Sequence, residues 1–137
     1  MCPLPISASM QDYLETILRL SYQSKFVRVT DIASELNLNK ASVAQALSIL
    51  KEKGLILQNR YGPVELTEKG WAYAEVVKYR HEILLEFLTK VLKLDWATAE
   101  RDACLMEHAV STQTINTLEE FLLKSRYLKG EFEEYSD

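Results

Sequence analysis

The chain has 137 residues, 47% of them hydrophobic, enough for one compact domain or two small ones, and this excludes a disordered chain. No apolar run approaches the roughly 18 residues of a membrane span, and Met1-Cys-Pro-Leu-Pro-Ile lacks the basic start and apolar core of a signal peptide; the expected compartment is the cytoplasm, with no membrane partner. Two cysteines are too few for a disulfide framework, so Cys104 is expected as a free thiol, and the net charge of −4 conceals +2 over residues 1–80 against −6 over 81–137.

Met10, Tyr13, Leu14, Ile17, Leu18 and Leu20 recur at spacings of three and four and predict an amphipathic helix over 9–22, with Asp12 and Glu15 flanking its apolar stripe. After a break at 21–26, Thr30 is the expected cap of a short helix over 31–36 with Ile32, Ala33 and Leu36 inward. Asn37-Leu-Asn makes a tight connection. Asn39 then caps a helix over 40–53 whose inward positions are Val43, Ala46, Leu47 and Leu50 and whose stop signal is Gly54. Two helices joined by so short a turn form a helix-turn-helix. The β-type runs 55–59 and 64–67 flank Arg60-Tyr-Gly-Pro and predict a hairpin, the wing of a winged helix.

Thr67 is the expected cap of a long linking helix over about 68–93, with Trp71, Ala74, Val77, Ile83, Leu84, Phe87, Leu88 and Val91 as its stripe. Asp95 caps a helix over 96–110, and Thr112 or Thr114 another over 115–127. The expected fold is therefore mainly α with a small β-hairpin: a winged helix-turn-helix domain over 1–75, then an all-helical domain over 76–137.

A recognition helix needs small or hydrogen-bonding side chains at its N-terminal end, because a bulky apolar residue there would hold the backbone out of the major groove. Lys40-Ala-Ser-Val-Ala-Gln-Ala meets this, with Ser42 and Gln45 one turn apart and Gln45 suited to a bidentate contact with adenine. Lys40, Lys51 and Arg60 are candidates for phosphate contact, and Tyr61 at the wing tip for the backbone or a minor groove. The plainer alternative is that Ser42 and Gln45 are solvated surface residues.

Cys104, Glu107 and His108 stand at i, i+3 and i+4 of the helix 96–110, which puts a thiol, a carboxylate and an imidazole within reach of one ion. Asp12 and Glu15 make a second pair at i and i+3, and the chain's two histidines, His81 and His108, fall on the long helix and on the Cys-Glu helix. Each residue also has an ordinary reading: solvated charges near a helix start, a small buried thiol, one carboxylate of a polar face. Carboxylates suit Mn²⁺ and Fe²⁺ while a thiolate pulls toward Fe²⁺, Co²⁺, Ni²⁺ or Zn²⁺, so the expected cofactor is Mn²⁺ or Fe²⁺, with Zn²⁺ as a third option.

Together these residues resemble the diphtheria toxin repressor and manganese transport regulator family of metal-dependent repressors. The likeness spans roughly residues 8–125. It is carried by Met-x-x-Tyr-Leu-x-x-Ile at Met10 to Ile17, Gly-Leu-Ile and Leu-Thr-x-x-Gly around the wing, Tyr-Arg-His at Tyr79 to His81, and Cys-x-x-Glu-His at Cys104 to His108. The manganese branch supplies an Asp and a Glu matching Asp12 and Glu15, a His matching His81, and later Glu, Glu and His. Cys104 stands for the first of those three, as in the iron branch, which carries a Met where this chain has Asp12. The resemblance thus implies a site that mixes the two branches, with Glu15 or Glu107 able to bridge two ions. Glu100 lies where the iron branch has an ancillary His, and the residues leave its role open. The iron branch's further SH3-like domain is not expected in 137 residues.

The expected function is a transcriptional regulator, by resemblance a repressor of metal-uptake genes, in which metal bound by Asp12, Glu15, His81, Cys104, Glu107 and His108 fixes a homodimer in a form that binds double-stranded operator DNA. The dimer would be built on the apolar faces of 96–127. The main alternative is a metal-independent winged-helix regulator responding to a small organic ligand. A di-metal enzyme or metal store is a further rival, and the absence of a nucleophile or general-base constellation in the sequence speaks against an enzyme.

Overall fold

A computed structural model describes residues 6–24, 26–59 and 62–125, which divide into two compact units, one over Ile6–Lys78 and one beginning at Tyr79. The first holds α1 (Ala8–Gln23), α2 (Val29–Leu36), α3 (Lys40–Glu52), β1 (Ile56–Gln58), β2 (Val64–Leu66) and the start of α4 (Glu68–Glu86). The second holds the rest of α4, a π-helical turn (Phe87–Val91), α5 (Trp96–Met106) and α6 (Thr112–Ser125). Among the described residues no helix is long and apolar enough to cross a membrane.

In the first unit the helix signals act where they stand. Ser7 caps α1 by accepting from Met10 N–H, and the α1 residues Tyr13, Leu14, Ile17 and Leu18 are buried as the periodicity requires. Asn37 ends α2 in the left-handed region at φ 57°, a conformation asparagine tolerates, and this makes the connection to α3 tight. Asn39 Oδ1 accepts from Ser42 N–H at 2.8 Å, Val43, Ala46, Leu47 and Leu50 point inward, and Gly54 follows α3 at φ 76°. The α2 start differs from expectation. Arg28, not Thr30, is the cap position, and its backbone N–H donates to Asp31 at 3.0 Å, so the carboxylate three residues on satisfies the helix entry.

The wing pairs β1 with β2 in antiparallel register, Ile56 opposite Leu66 and Gln58 opposite Val64. Val27 adds a bridge to Val64, whose N–H donates to the Val27 carbonyl at 2.8 Å, so the segment before α2 becomes a third edge of the wing. Thr67 fastens the wing to α4: its hydroxyl donates to the Gly54 carbonyl at 2.7 Å and accepts from Gly70 N–H at 3.0 Å. Trp71, expected in the apolar stripe of α4, is instead 40% exposed and packs edge-on to the Tyr22 ring.

The second unit departs further from expectation. The long helix does not stay α-helical to 93. Thr89 Oγ1 bonds back to the Leu85 carbonyl at 2.8 Å, a local competition with the helix ladder, and the turn widens so that Leu92 N–H reaches Phe87 five residues back. Lys93 at φ 61° closes it. Asp95 caps α5 through Thr98, and α5 ends at Met106 rather than 110. The Glu107 carbonyl, which a continuing helix would give to residue 111, accepts from Arg80 Nε at 2.8 Å instead. Ser111, not a threonine, caps α6 by accepting from Thr114 N–H. The core of this unit joins Ile83, Leu84, Leu88, Ala99, Ala103, Ile115 and Leu122.

Candidate metal centre and nucleic-acid interface

Because Val43, Ala46, Leu47 and Leu50 hold α3 against the core, its opposite face is open, and Lys40, Ser42 and Gln45 all lie exposed on it. Lys51 is exposed too, but its ammonium donates to the Gln58 carbonyl at 2.9 Å and ties α3 to β1. Arg60 and Tyr61 lie outside the described residues. The exposed face has the small and hydrogen-bonding groups a major groove admits, beside a two-stranded wing.

In the second unit, His81 comes from α4 and Glu100 and Cys104 from one face of α5, a turn apart. Glu107 sits at the α5 C-cap with helical φ and ψ, so it keeps the direction expected of it although the helix stops there. His81 Nδ1 is 2.6 Å from Glu107 Oε1 and 3.9 Å from Cys104 Sγ, while Nε2 is 2.9 Å from Glu100 Oε2. His108 Nε2 lies 3.8 Å from Glu107 Oε2. Ligand atoms of His81, Cys104 and Glu107 all fall within 4.8 Å of one another. Glu107 is fully buried, His81 mostly so, and Cys104 is an exposed free thiol.

Hydrogen bonding with Cys104, then with Glu107 and Glu100, pushes the His81 pKa up to about 11 against the lowering effect of burial. The cluster therefore demands positive charge, and a protonated imidazole supplies it. An imidazole, a thiol and a buried carboxylate converging at ligand distances are also the donor set of a borderline transition metal, so the residues fit a divalent ion. Asp12 and Glu15 stand one turn apart on α1 of the first unit.

Sequence reasoning missed Arg80. It is 2% exposed, and its grip on the Glu107 carbonyl fixes the chain at the point where the carboxylate must face His81. The signal present was an arginine flanked by Tyr79 and His81 on a helix whose neighbours are apolar, which is weak without knowledge of the fold. Glu100 was noticed only through its position, and its contacts with His81 and Cys104 are new.

Two family models cover almost the whole chain. The iron-dependent repressor N-terminal DNA-binding domain matches residues 5–64, and the iron-dependent repressor metal-binding and dimerisation domain matches residues 67–127. An HTH-type transcriptional regulator of Methanocaldococcus jannaschii is 32% identical over 120 residues, 87% of this chain and 96% of that protein. The HTH-type transcriptional regulator MntR of Shouchella clausii is 33% identical over 110 residues, 80% of this chain and 76% of that one. Among solved structures, a manganese-dependent transcriptional repressor in complex with manganese superposes with a TM-score of 0.77 at 27% identity, over 82% of this chain and 52% of that one. The manganese regulator SloR gives 0.75 at 26%, over 82% and 53%. This chain thus spans about half the length of those two proteins of solved structure.

Proposed function

This chain belongs to the iron-dependent repressor family, and on that premise we propose that it is a metal-dependent repressor that binds operator DNA as a homodimer in the cytoplasm, without catalysing a reaction. The observation that carries this reading is the convergence of His81, Cys104 and Glu107 to within 4.8 Å in a chain that begins with a winged helix-turn-helix. The division of labour we propose is DNA binding over 1–75, and dimerisation and metal binding over 76–137.

His81, Cys104, Glu107 and His108 hold the metal from the second unit, and Asp12 and Glu15 contribute from α1. A bound divalent cation, Mn²⁺ or Fe²⁺ in preference to Zn²⁺, supplies the charge that neutralises these carboxylates. Without it, a protonated His81 offsets only its neighbours Glu100 and Glu107, and the ligand-bearing segments lose a common anchor. Ser42 and Gln45 read base edges, and Lys40, Lys51, Arg60 and Tyr61 contact the backbone. Exposed Trp96, Leu105, Phe121 and Leu123 in the second unit support a dimer built on α5 and α6. A coupling on the order of 1–3 kcal/mol suffices for a 5- to 150-fold change in DNA affinity, and linkage requires DNA to tighten metal binding by the same factor. Titration of operator DNA with and without Mn²⁺ or Fe²⁺ tests this. Equal affinities in metal and in chelator would defeat the switch.

A further inference from the structure

The two nitrogens of His81 face different neighbours. Nδ1 points to the edge occupied by Glu107 Oε1 at 2.6 Å and Cys104 Sγ at 3.9 Å, the other two members of the close donor group. Nε2 points to Glu100 Oε2 at 2.9 Å. A ligating imidazole is neutral and keeps one N–H, and an ionised carboxylate can only accept. Both ring nitrogens face a carboxylate, Glu107 at Nδ1 and Glu100 at Nε2; were a divalent cation to take the lone pairs of Glu107 and Nδ1, the Glu100 carboxylate would hold the remaining ring proton on Nε2. Glu100 Oε1 also accepts from Cys104 Sγ at 3.5 Å, so one side chain contacts two of the three donors. About a third of the Glu100 side chain is exposed, in contrast to Glu107, which places Glu100 at the rim of the cluster.

Given the metal-binding role proposed above, we infer that Glu100 is a positioning residue: it accepts a hydrogen bond from His81 Nε2, sets the tautomer, and makes Nδ1 the ligating nitrogen. Carboxylates that hold a ligating histidine by its other nitrogen raise its basicity and fix its ring, and their loss lowers metal affinity by roughly 10- to 100-fold.

The test uses the full chain in wild-type, Glu100→Ala and Glu100→Gln forms, each first shown by circular dichroism to be folded. Two-bond ¹H–¹⁵N spectra of the Zn²⁺-loaded wild type report which nitrogen of each histidine carries the proton. The expected result for His81 is a protonated Nε2 and a metal-bound Nδ1; the reverse pattern overturns the inference. Titration with Co²⁺, followed by its thiolate absorption, gives the affinities. Glu100→Ala is expected to fall by roughly 10- to 100-fold, and Glu100→Gln, whose amide oxygen still accepts from Nε2–H, to recover most of that loss. An Ala variant that binds as the wild type does would make Glu100 a bystander. A Gln variant as weak as Ala would make it a direct ligand. Either result sinks the positioning role while leaving the metal-binding reading intact. Failure of the wild type to bind Co²⁺ or Zn²⁺ would remove that reading, and this inference with it.

Discussion

Replacing Gly70 by alanine should destabilise the first unit, against the preference of helices for alanine. Gly70 lies in the first turn of α4, where local propensity alone predicts that alanine gains up to about 1 kcal/mol. The backbone leaves no room for it. A Cβ at position 70 would lie 1.9 Å from the Leu55 carbonyl oxygen and 2.9 Å from its carbon, where ordinary contact begins at 3.4 Å. That oxygen cannot swing aside, since Leu55 is buried and its carbonyl also accepts from Thr67 N–H at 3.1 Å. Either α4 or the start of the wing must shift, at about 1–3 kcal/mol for forced overpacking, with about 1 kcal/mol more for the weakened hydrogen bond. After subtracting the propensity gain, a net loss of about 2 kcal/mol is expected, or roughly 8–16 °C in Tm for a unit of this size. Thermal and urea unfolding, followed by circular dichroism at fixed protein concentration, measure it. Gly54 is the control: its φ of 76° favours glycine, but nothing lies within 4 Å of a Cβ there, so Gly54→Asn should be tolerated where Gly70→Ala is not. A Gly70→Ala protein as stable as the wild type, or more so, would refute the steric argument.

Arg80→Ala removes a buried guanidinium from the Glu107 carbonyl and should cost roughly 3 kcal/mol in urea unfolding; Co²⁺ affinity should fall as well, because the α5 terminus that carries Glu107 loses its tether. Unchanged stability would show that the burial of Arg80 is incidental. Asn39→Ala removes the cap of α3 and should cost about 1 kcal/mol, with weaker DNA binding, whereas Asn39→Asp, whose carboxylate can accept from Ser42 N–H, should retain the stability. Equal losses for the two variants would mean that the cap does not set α3.

The winged helix was legible because its determinants are local. The order of α1, α2, α3 and the hairpin, and the four inward positions of α3, follow from a periodicity and caps that act within about one helical turn. The side-chain cluster around His81 was half legible: Cys104 and Glu107 share a face by spacing alone, and His81 entered on residue type and the likeness of Tyr79-Arg80-His81 to a family pattern. The early end of α5 did not disturb the cluster, since Glu107 keeps helical dihedrals at the cap. Arg80 was not legible, because an arginine in a helix is ordinarily a solvated side chain and only packing can bury it.

By itself, then, the sequence determined which segments become helix and hairpin and which residue types are available as donors, because capping, backbone preference and apolar spacing are interactions between near neighbours in the chain. Tertiary structure alone decided that Gly70 must lack a side chain, that Arg80 closes α5 at Glu107 27 residues away, and that Glu100 meets His81 across 19. Those contacts depend on how α4 lies against the wing at one end and against α5 at the other, and no local signal encodes that arrangement.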